Sequence, residues 1–145
     1  DRRYISKELL SDFLDYENIN YIGNVKNIKN IIKKSSCVVL PTYYKEGVPR
    51  ILIEGLAIGR PIITTKSPGC SETVIEGKTG YFVEPQNPND LRQKMEIMIN
   101  LEEDTYAQMT YLSRTRAEEN FSDDIIKNNY HNILYNKNND WNIKP

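Results

Sequence analysis

What most constrains this chain is a rhythm in its apolar residues. Short uninterrupted apolar runs, Cys37-Val38-Val39-Leu40, Pro61-Ile62-Ile63-Thr64 and Tyr81-Phe82-Val83, alternate with longer segments whose apolar positions recur at helical spacing. A strand with one wet face alternates polar and apolar residues, whereas a run that is apolar throughout needs cover on both faces. Helices placed between successive strands supply that cover, and the order strand, helix, strand makes the sheet parallel. The expected fold is therefore α/β: a Rossmann-like parallel sheet with helices on both faces. At 145 residues the chain is long enough for one domain with a real core.

The pattern sets out the elements in order. Residues 6–16 read as an amphipathic helix with Leu9, Leu10, Phe13 and Leu14 on one side. Ile19 to Ile22 reads as a short strand ending at Gly23, and residues 26–35 as a helix striped by Ile28, Ile31 and Ile32. After the strand Cys37 to Leu40, residues 49–58 form a helix, with Pro49 at its first position and Gly59 as its C-cap. Ser71 to Ile75 is one helical turn. Asn87-Pro88-Asn89-Asp90 is a helix start, with a cap, a proline and an acid in the first turn. Helices at about 104–119 and from Ser122-Asp123-Asp124 onward complete the chain. The tail from 136 to 145 is polar apart from Trp141 and Ile143 and is expected to be loosely held.

Composition removes several classes of function. The formal net charge is −1, so no basic field invites nucleic acid, and the ten tyrosines are not interleaved with basic residues. Two cysteines, Cys37 and Cys70, form no disulfide framework and no zinc spacing, which suits a reducing compartment. No run is long enough to span a membrane, so a cytoplasmic setting is expected. Asp123-Asp124 is a helix cap rather than an Asp-x-Asp metal motif, and no metal or cofactor is expected.

Ligands of parallel sheets bind at the carboxyl ends of the strands. Leu40 ends a strand, and the segment after it runs Tyr44-Lys45-Glu46-Gly47-Val48-Pro49-Arg50-Ile51-Leu52-Ile53-Glu54-Gly55. One carboxylate, Glu46, thus falls in a loop on the binding edge, and a second, Glu54, falls inside the following helix. A helix start offers unpaired N–H groups and a positive dipole end, which favour phosphate. Carboxylates on either side can accept hydrogen bonds from sugar hydroxyls. Glutamate is also common on solvated helix faces, and two of them eight residues apart are a weak signal alone.

The surrounding residues sharpen it. Glu46 through Thr64 resembles the Glu-x7-Glu signature of retaining GT-B glycosyltransferases of family 4. Pro68-Gly69-Cys70-Ser71-Glu72-Thr73-Val74 with Gly77-Lys78-Thr79-Gly80-Tyr81-Phe82-Val83 resembles the next segment of that family, and Tyr21-Ile22-Gly23-Asn24-Val25 an upstream strand and turn. The resemblance covers roughly residues 19 to 100 in order. It implies the donor-binding C-terminal domain of a two-domain bacterial enzyme that builds capsule, lipopolysaccharide or lipid-linked oligosaccharide. Residues 1–121 would be the nucleotide-sugar-binding domain, lacking its first strand and the Arg and Lys that grip the diphosphate there; Arg2 and Arg3 stand in the wrong context for those roles. Residues 122–145 would be a C-terminal helix and tail, and the acceptor domain would be absent.

By the same resemblance Glu54 holds the ribose hydroxyls and Glu46 lies by the donor sugar. The backbone of Gly47 and Val48, with the helix start at Pro49 and Arg50, meets the sugar and distal phosphate, and Asn24 and Val25 meet the base. The donor is a nucleotide-diphosphate sugar, with uridine diphosphate the family's commonest carrier. The acceptor is a glycan or lipid-linked sugar reached through the N-terminal domain, with peripheral membrane association of the parent. Read from the residues alone, Arg50 is more often a solvated side chain, Glu72 a cap or loop brace, Lys45 and Lys66 surface lysines, and His131 structural or solvent-facing. Two alternatives stay open: a sugar-nucleotide epimerase of GT-B architecture, and a non-catalytic nucleotide-binding module.

Overall fold

The structure, a computed structural model, describes residues 6–44 and 47–135. Lys45, Glu46, Arg2, Arg3 and the tail with Trp141 and Ile143 lie outside the described residues, as does the side chain of Leu9. Three strands, β1 (Val38–Leu40), β2 (Ile62–Thr65) and β3 (Gly80–Val83), form a parallel sheet in the order β1-β2-β3. The register places Val38 opposite Ile62 and Leu40 opposite Thr64, then Ile62 opposite Gly80 and Thr65 opposite Val83. The central strand β2 is buried along its whole length, as its unbroken apolar and β-branched run requires.

Helices cover both faces. On one face Ile62, Val38, Leu40 and Phe82 meet Leu52 and Leu56 of α3 (Arg50–Ala57), Cys70 and Val74, and Ala117 of α5 (Glu103–Phe121). On the other, Ile63, Val83, Val39 and Tyr81 meet Leu91 and Met98 of α4 (Pro88–Ile99) and Met109 of α5. Leu52 and Leu56 are fully buried, and each such burial stabilises the domain by about 1.5–3 kcal/mol. Gly55 lets α3 lie close on the sheet: a Cβ there would stand 2.9 Å from Val38 Cγ2 and 3.0 Å from Ile62 Cδ1.

The long helix α5 touches both layers because it runs across the amino ends of the strands. The Tyr106 hydroxyl donates to the Ser36 carbonyl just before β1 (2.8 Å) and accepts from Arg60 Nη1 just before β2 (3.2 Å). Arg60 also donates to the Lys33 carbonyl at the end of α2 (Ile28–Lys34; 2.7 Å). Farther along, the Ser113 hydroxyl makes a long 3.5 Å bond to the Thr79 carbonyl just before β3. The amino edge is therefore roofed. At the opposite edge the buried threonines of β2 bond only to the chain: Thr64 Oγ1 donates to the Leu40 carbonyl (2.7 Å) and Thr65 Oγ1 to the Thr42 carbonyl.

The expected helices form at α1 (Lys7–Leu14), α2, α3, α4, α5 and α6 (Asp123–Tyr135), with ends shifted by a few residues. Asn87 caps α4 by accepting from the Asp90 N–H (3.1 Å). Three expectations are corrected. Ile19–Ile22 is not a strand. Ile19, Tyr21 and Ile22 are exposed and among the described residues pair with no neighbouring strand, and an unpaired strand has no partners for its N–H and C=O groups. Pro49 is the N-cap of α3 rather than its first residue; at the other end Gly59, with φ of 75°, follows the C-cap Ile58 and stops the helix as expected. The turn after β2 is a single 3-10 turn, Cys70–Glu72, tightened by the Thr73 hydroxyl donating to the Cys70 carbonyl (2.7 Å). In α1, Phe13 and Leu14 are exposed.

Candidate functional site

With the amino edge covered by α5, the loops after β1, β2 and β3 form the open edge of the sheet. The first of these enters α3 through Gly47, Val48 and Pro49. Gly47 is exposed, and a Cβ at its position would meet nothing within 4 Å, so its backbone is open to a ligand. Val48 is half-buried and Pro49 buried, which pins the loop to the domain. Pro49 has no capping side chain; its carbonyl accepts from Leu52 (3.0 Å) and Ile53 (3.4 Å). The N–H groups of Arg50 and Ile51 find no acceptor among the described residues and remain available at the positive end of the helix.

Glu54 projects from the second turn of α3, with its side chain 26% exposed. Arg50 lies one turn earlier and is 90% exposed, and its Nε donates to Glu54 Oε1 at 2.8 Å. This i,i+4 pair occupies one carboxylate oxygen and leaves the other free to accept. Exposed pairs of this kind contribute about 0.3–0.5 kcal/mol, so the pairing orients the carboxylate more than it stabilises the fold. Arg50 is solvated, as its sequence position suggests, and it also makes this contact.

The structure thus brings Gly47, Val48, Pro49, Arg50 and Glu54 together on one loop–helix element. Glu46 lies outside the described residues. Asn24 is exposed and Val25 half-buried in the segment before α2, and among the described residues no hydrogen bond joins either to that element. Glu72 is exposed, and its carbonyl accepts from Arg116 Nη2 at 2.6 Å, so that loop is tied to α5. Cys37 and Cys70 are free thiols, and burial pushes Cys37 above the ordinary thiol range. Among the described residues no three His, Cys, Asp or Glu side chains converge as a metal site, and no helix is long and apolar enough to cross a membrane.

The family model for glycosyl transferases group 1 matches residues 4–116, most of the chain. The chain belongs to that family. Its fold matches C-terminal portions of GT-B glycosyltransferases. It is 32% identical over 109 residues to the capsular polysaccharide biosynthesis glycosyltransferase CapM of Staphylococcus aureus, covering 75% of this chain and 28% of that protein. A glycosyltransferase structure from Rickettsia africae superposes with a TM-score of 0.78 at 30% identity, covering 90% of this chain and 36% of that one. The fold also matches Anabaena HepE, solved with UDP-glucose, with a TM-score of 0.77 at 17% identity over 88% of this chain and 35% of that one. The chain spans about a third or less of each of these proteins.

Placed in this group 1 domain, two features of the open edge went unread in the sequence. One is the pair Tyr43 and Tyr44, whose rings stack 4.5 Å apart at an interplanar angle of 27°. The other is a cleft of about 760 Å³ that starts at Lys66 and follows the loop from β3 into α4. The tyrosines carried a signal, two adjacent aromatics just after a strand. The cleft carried none, because its walls come from segments some twenty residues apart.

Proposed function

We propose that this chain is the donor-binding half of a bacterial retaining glycosyltransferase. It takes a sugar from a nucleotide-diphosphate carrier, uridine diphosphate first, and passes it to a glycan or lipid-linked acceptor held by a second domain. The setting is the cytoplasm, with the parent enzyme at the membrane's inner face, in capsule, lipopolysaccharide or oligosaccharide assembly. Residues 1–121 make the donor domain and 122–145 a C-terminal helix and tail. The observation that carries this reading is the uncapped start of α3, set beside the Glu54 carboxylate on the open edge of a group 1 domain.

On this reading each group has a role. The free N–H groups of Arg50 and Ile51, with the backbone of Gly47 and Val48, face the diphosphate. The unoccupied oxygen of Glu54 accepts from ribose hydroxyls and Asn24 and Val25 offer backbone groups to the base; the family resemblance assigns Glu46 to the donor sugar. These groups position the donor and stabilise charge as the glycosyl–phosphate bond loosens. A hydrolase would instead need two carboxylates flanking the bond directly. CapM of Staphylococcus aureus is a glycosyltransferase of capsular polysaccharide biosynthesis, and the family match favours transfer over epimerisation.

Titration of UDP into the chain, followed by NMR, tests the reading. A charged acceptor shared by ribose hydroxyls contributes about 1.5–3 kcal/mol, so Glu54→Gln is expected to weaken UDP at least tenfold with an unchanged circular dichroism spectrum. Equal affinity in a folded variant removes Glu54 from the site. Sugar transfer by the 145-residue chain alone would overturn its reading as a half-enzyme.

A further inference from the structure

We propose that the open edge carries a second binding site, for a neutral pyranoside of the acceptor glycan, on the side of the sheet covered by α4. The proposal rests on the reading of the chain as part of a glycosyltransferase. Two adjoining surfaces make the site. The first is the stacked pair Tyr43 and Tyr44, whose rings stay 53% and 55% exposed although they are large and partly apolar. Tyr43 lines a hollow of about 240 Å³ together with Glu84, Asn87 and Leu91. The second surface is the larger cleft, which Glu84 and Asn87 also line, so the two are continuous.

The cleft's chemistry is that of a sugar site. Lys66, Glu84, Asn89 and Gln93 all line it, and among the described residues none of their side chains makes a hydrogen bond or ion pair. They offer an ammonium donor, a carboxylate acceptor and two amides that can do both. A pyranose needs that mixture around its rim of hydroxyls, and its C–H face needs a flat apolar partner such as an exposed tyrosine ring. The charged groups lining the cleft are two lysines, Lys66 and Lys94, and two acids, Glu84 and Asp90. Lys94 is partly engaged, 3.6 Å from Glu76 and over the Tyr81 ring. A phosphate would therefore meet carboxylates without a surplus of cations, whereas a neutral polyhydroxyl ligand meets no repulsion.

The loop that joins the two surfaces is held in an unusual shape. Gln86 has φ of 58°, among the described residues the one non-glycine with positive φ. The turn is closed by the Asn87 N–H donating to the Glu84 carbonyl (3.3 Å), while the Glu84 N–H donates to Asp90 Oδ2 (2.7 Å). Glycine would fit the turn more easily, yet the side chain present is an amide that lines the hollow beside Tyr43.

The test is a titration of the full chain with methyl α-D-glucopyranoside, methyl α-D-galactopyranoside and N-acetylglucosamine, followed by amide shifts. Each is taken to about 50 mM, above the millimolar range of a weak ligand. UDP is titrated in parallel. Saturable shifts at Tyr43, Tyr44, Glu84 and Gln86 with at least one sugar are expected, lost or weakened at least fivefold in Tyr43→Ala and in Asn89→Ala. Both side chains are exposed, so both variants should fold. No saturable shift with any of the three sugars, or shifts that persist in both folded variants, overturns the site. UDP shifts near Glu54 without sugar shifts sink this proposal alone. Sugar shifts without UDP shifts uphold a pyranoside site but sink the donor reading, and with it the assignment of that site to the acceptor.

Discussion

Two glycines three residues apart, Gly77 and Gly80, look alike in the sequence and should respond very differently to alanine. At Gly77, with φ of 71°, an added Cβ meets nothing within 4 Å. The cost there is that of placing an L-residue in a left-handed conformation, about 1–2 kcal/mol. At Gly80, with φ of 152°, the added Cβ would stand 1.8 Å from the Ile62 carbonyl oxygen and 2.7 Å from its carbon. Both atoms belong to the backbone of the central strand, so no side chain can swing aside. Relief requires β2 and β3 to part by on the order of 1.5 Å, past useful hydrogen-bond length. That would break the Ile62 N–H to Thr79 carbonyl bond (3.0 Å) and strain the Gly77 N–H to Gly80 carbonyl bond (2.9 Å). Each buried group left unpaired costs about 1–3 kcal/mol, and the backbone conformation adds about 1–3 more. Gly80→Ala should therefore lose about 4–7 kcal/mol, a large part of the roughly 5–15 kcal/mol of a domain. Urea unfolding followed by circular dichroism compares the two variants. The expected gap is about 3 kcal/mol or more, or a Gly80→Ala chain that does not fold beside a folded Gly77→Ala. Equal midpoints would mean that β3 does not meet β2 in the register described.

Arg50→Ala removes a 90% exposed side chain, so stability should change by less than about 0.5 kcal/mol. UDP affinity should still fall, as Glu54 loses its orienting partner; unchanged affinity by calorimetry would take Arg50 out of the site. Tyr106→Phe deletes a hydroxyl that bridges Ser36 and Arg60, and should cost about 1–2 kcal/mol in urea unfolding while UDP affinity stays the same. A neutral effect on stability would show that α5 does not hold the amino edge. On α6, Ile126, Tyr130, Ile133 and Leu134 all remain exposed, so hydrogen exchange over 123–135 should be fast at low protein concentration. Strong protection that does not depend on concentration would show the helix fully docked within one chain.

The sequence by itself determined the fold class, and the reason is burial. Three runs without polar relief can be strands only if both faces are covered, and the periodic segments between and after them supply the cover. Local chemistry was equally legible where its partners lie close in the chain: Asn87 caps Asp90, and Glu54 shares a helix with Arg50. Where partners are distant, the sequence was silent or misleading. Ile19–Ile22 has a strand's composition, but a strand is defined by hydrogen bonds to a neighbour, and among the described residues none is paired to it. The periodicity of α5 gives no hint that Tyr106, Ser113 and Arg114 would cross beneath the sheet and seal one edge. Nor could any local pattern bring Lys66 to one cleft with Glu84 and Gln93. Those placements come from chain crossings set by the packing of the whole sheet, and only the tertiary structure decided them.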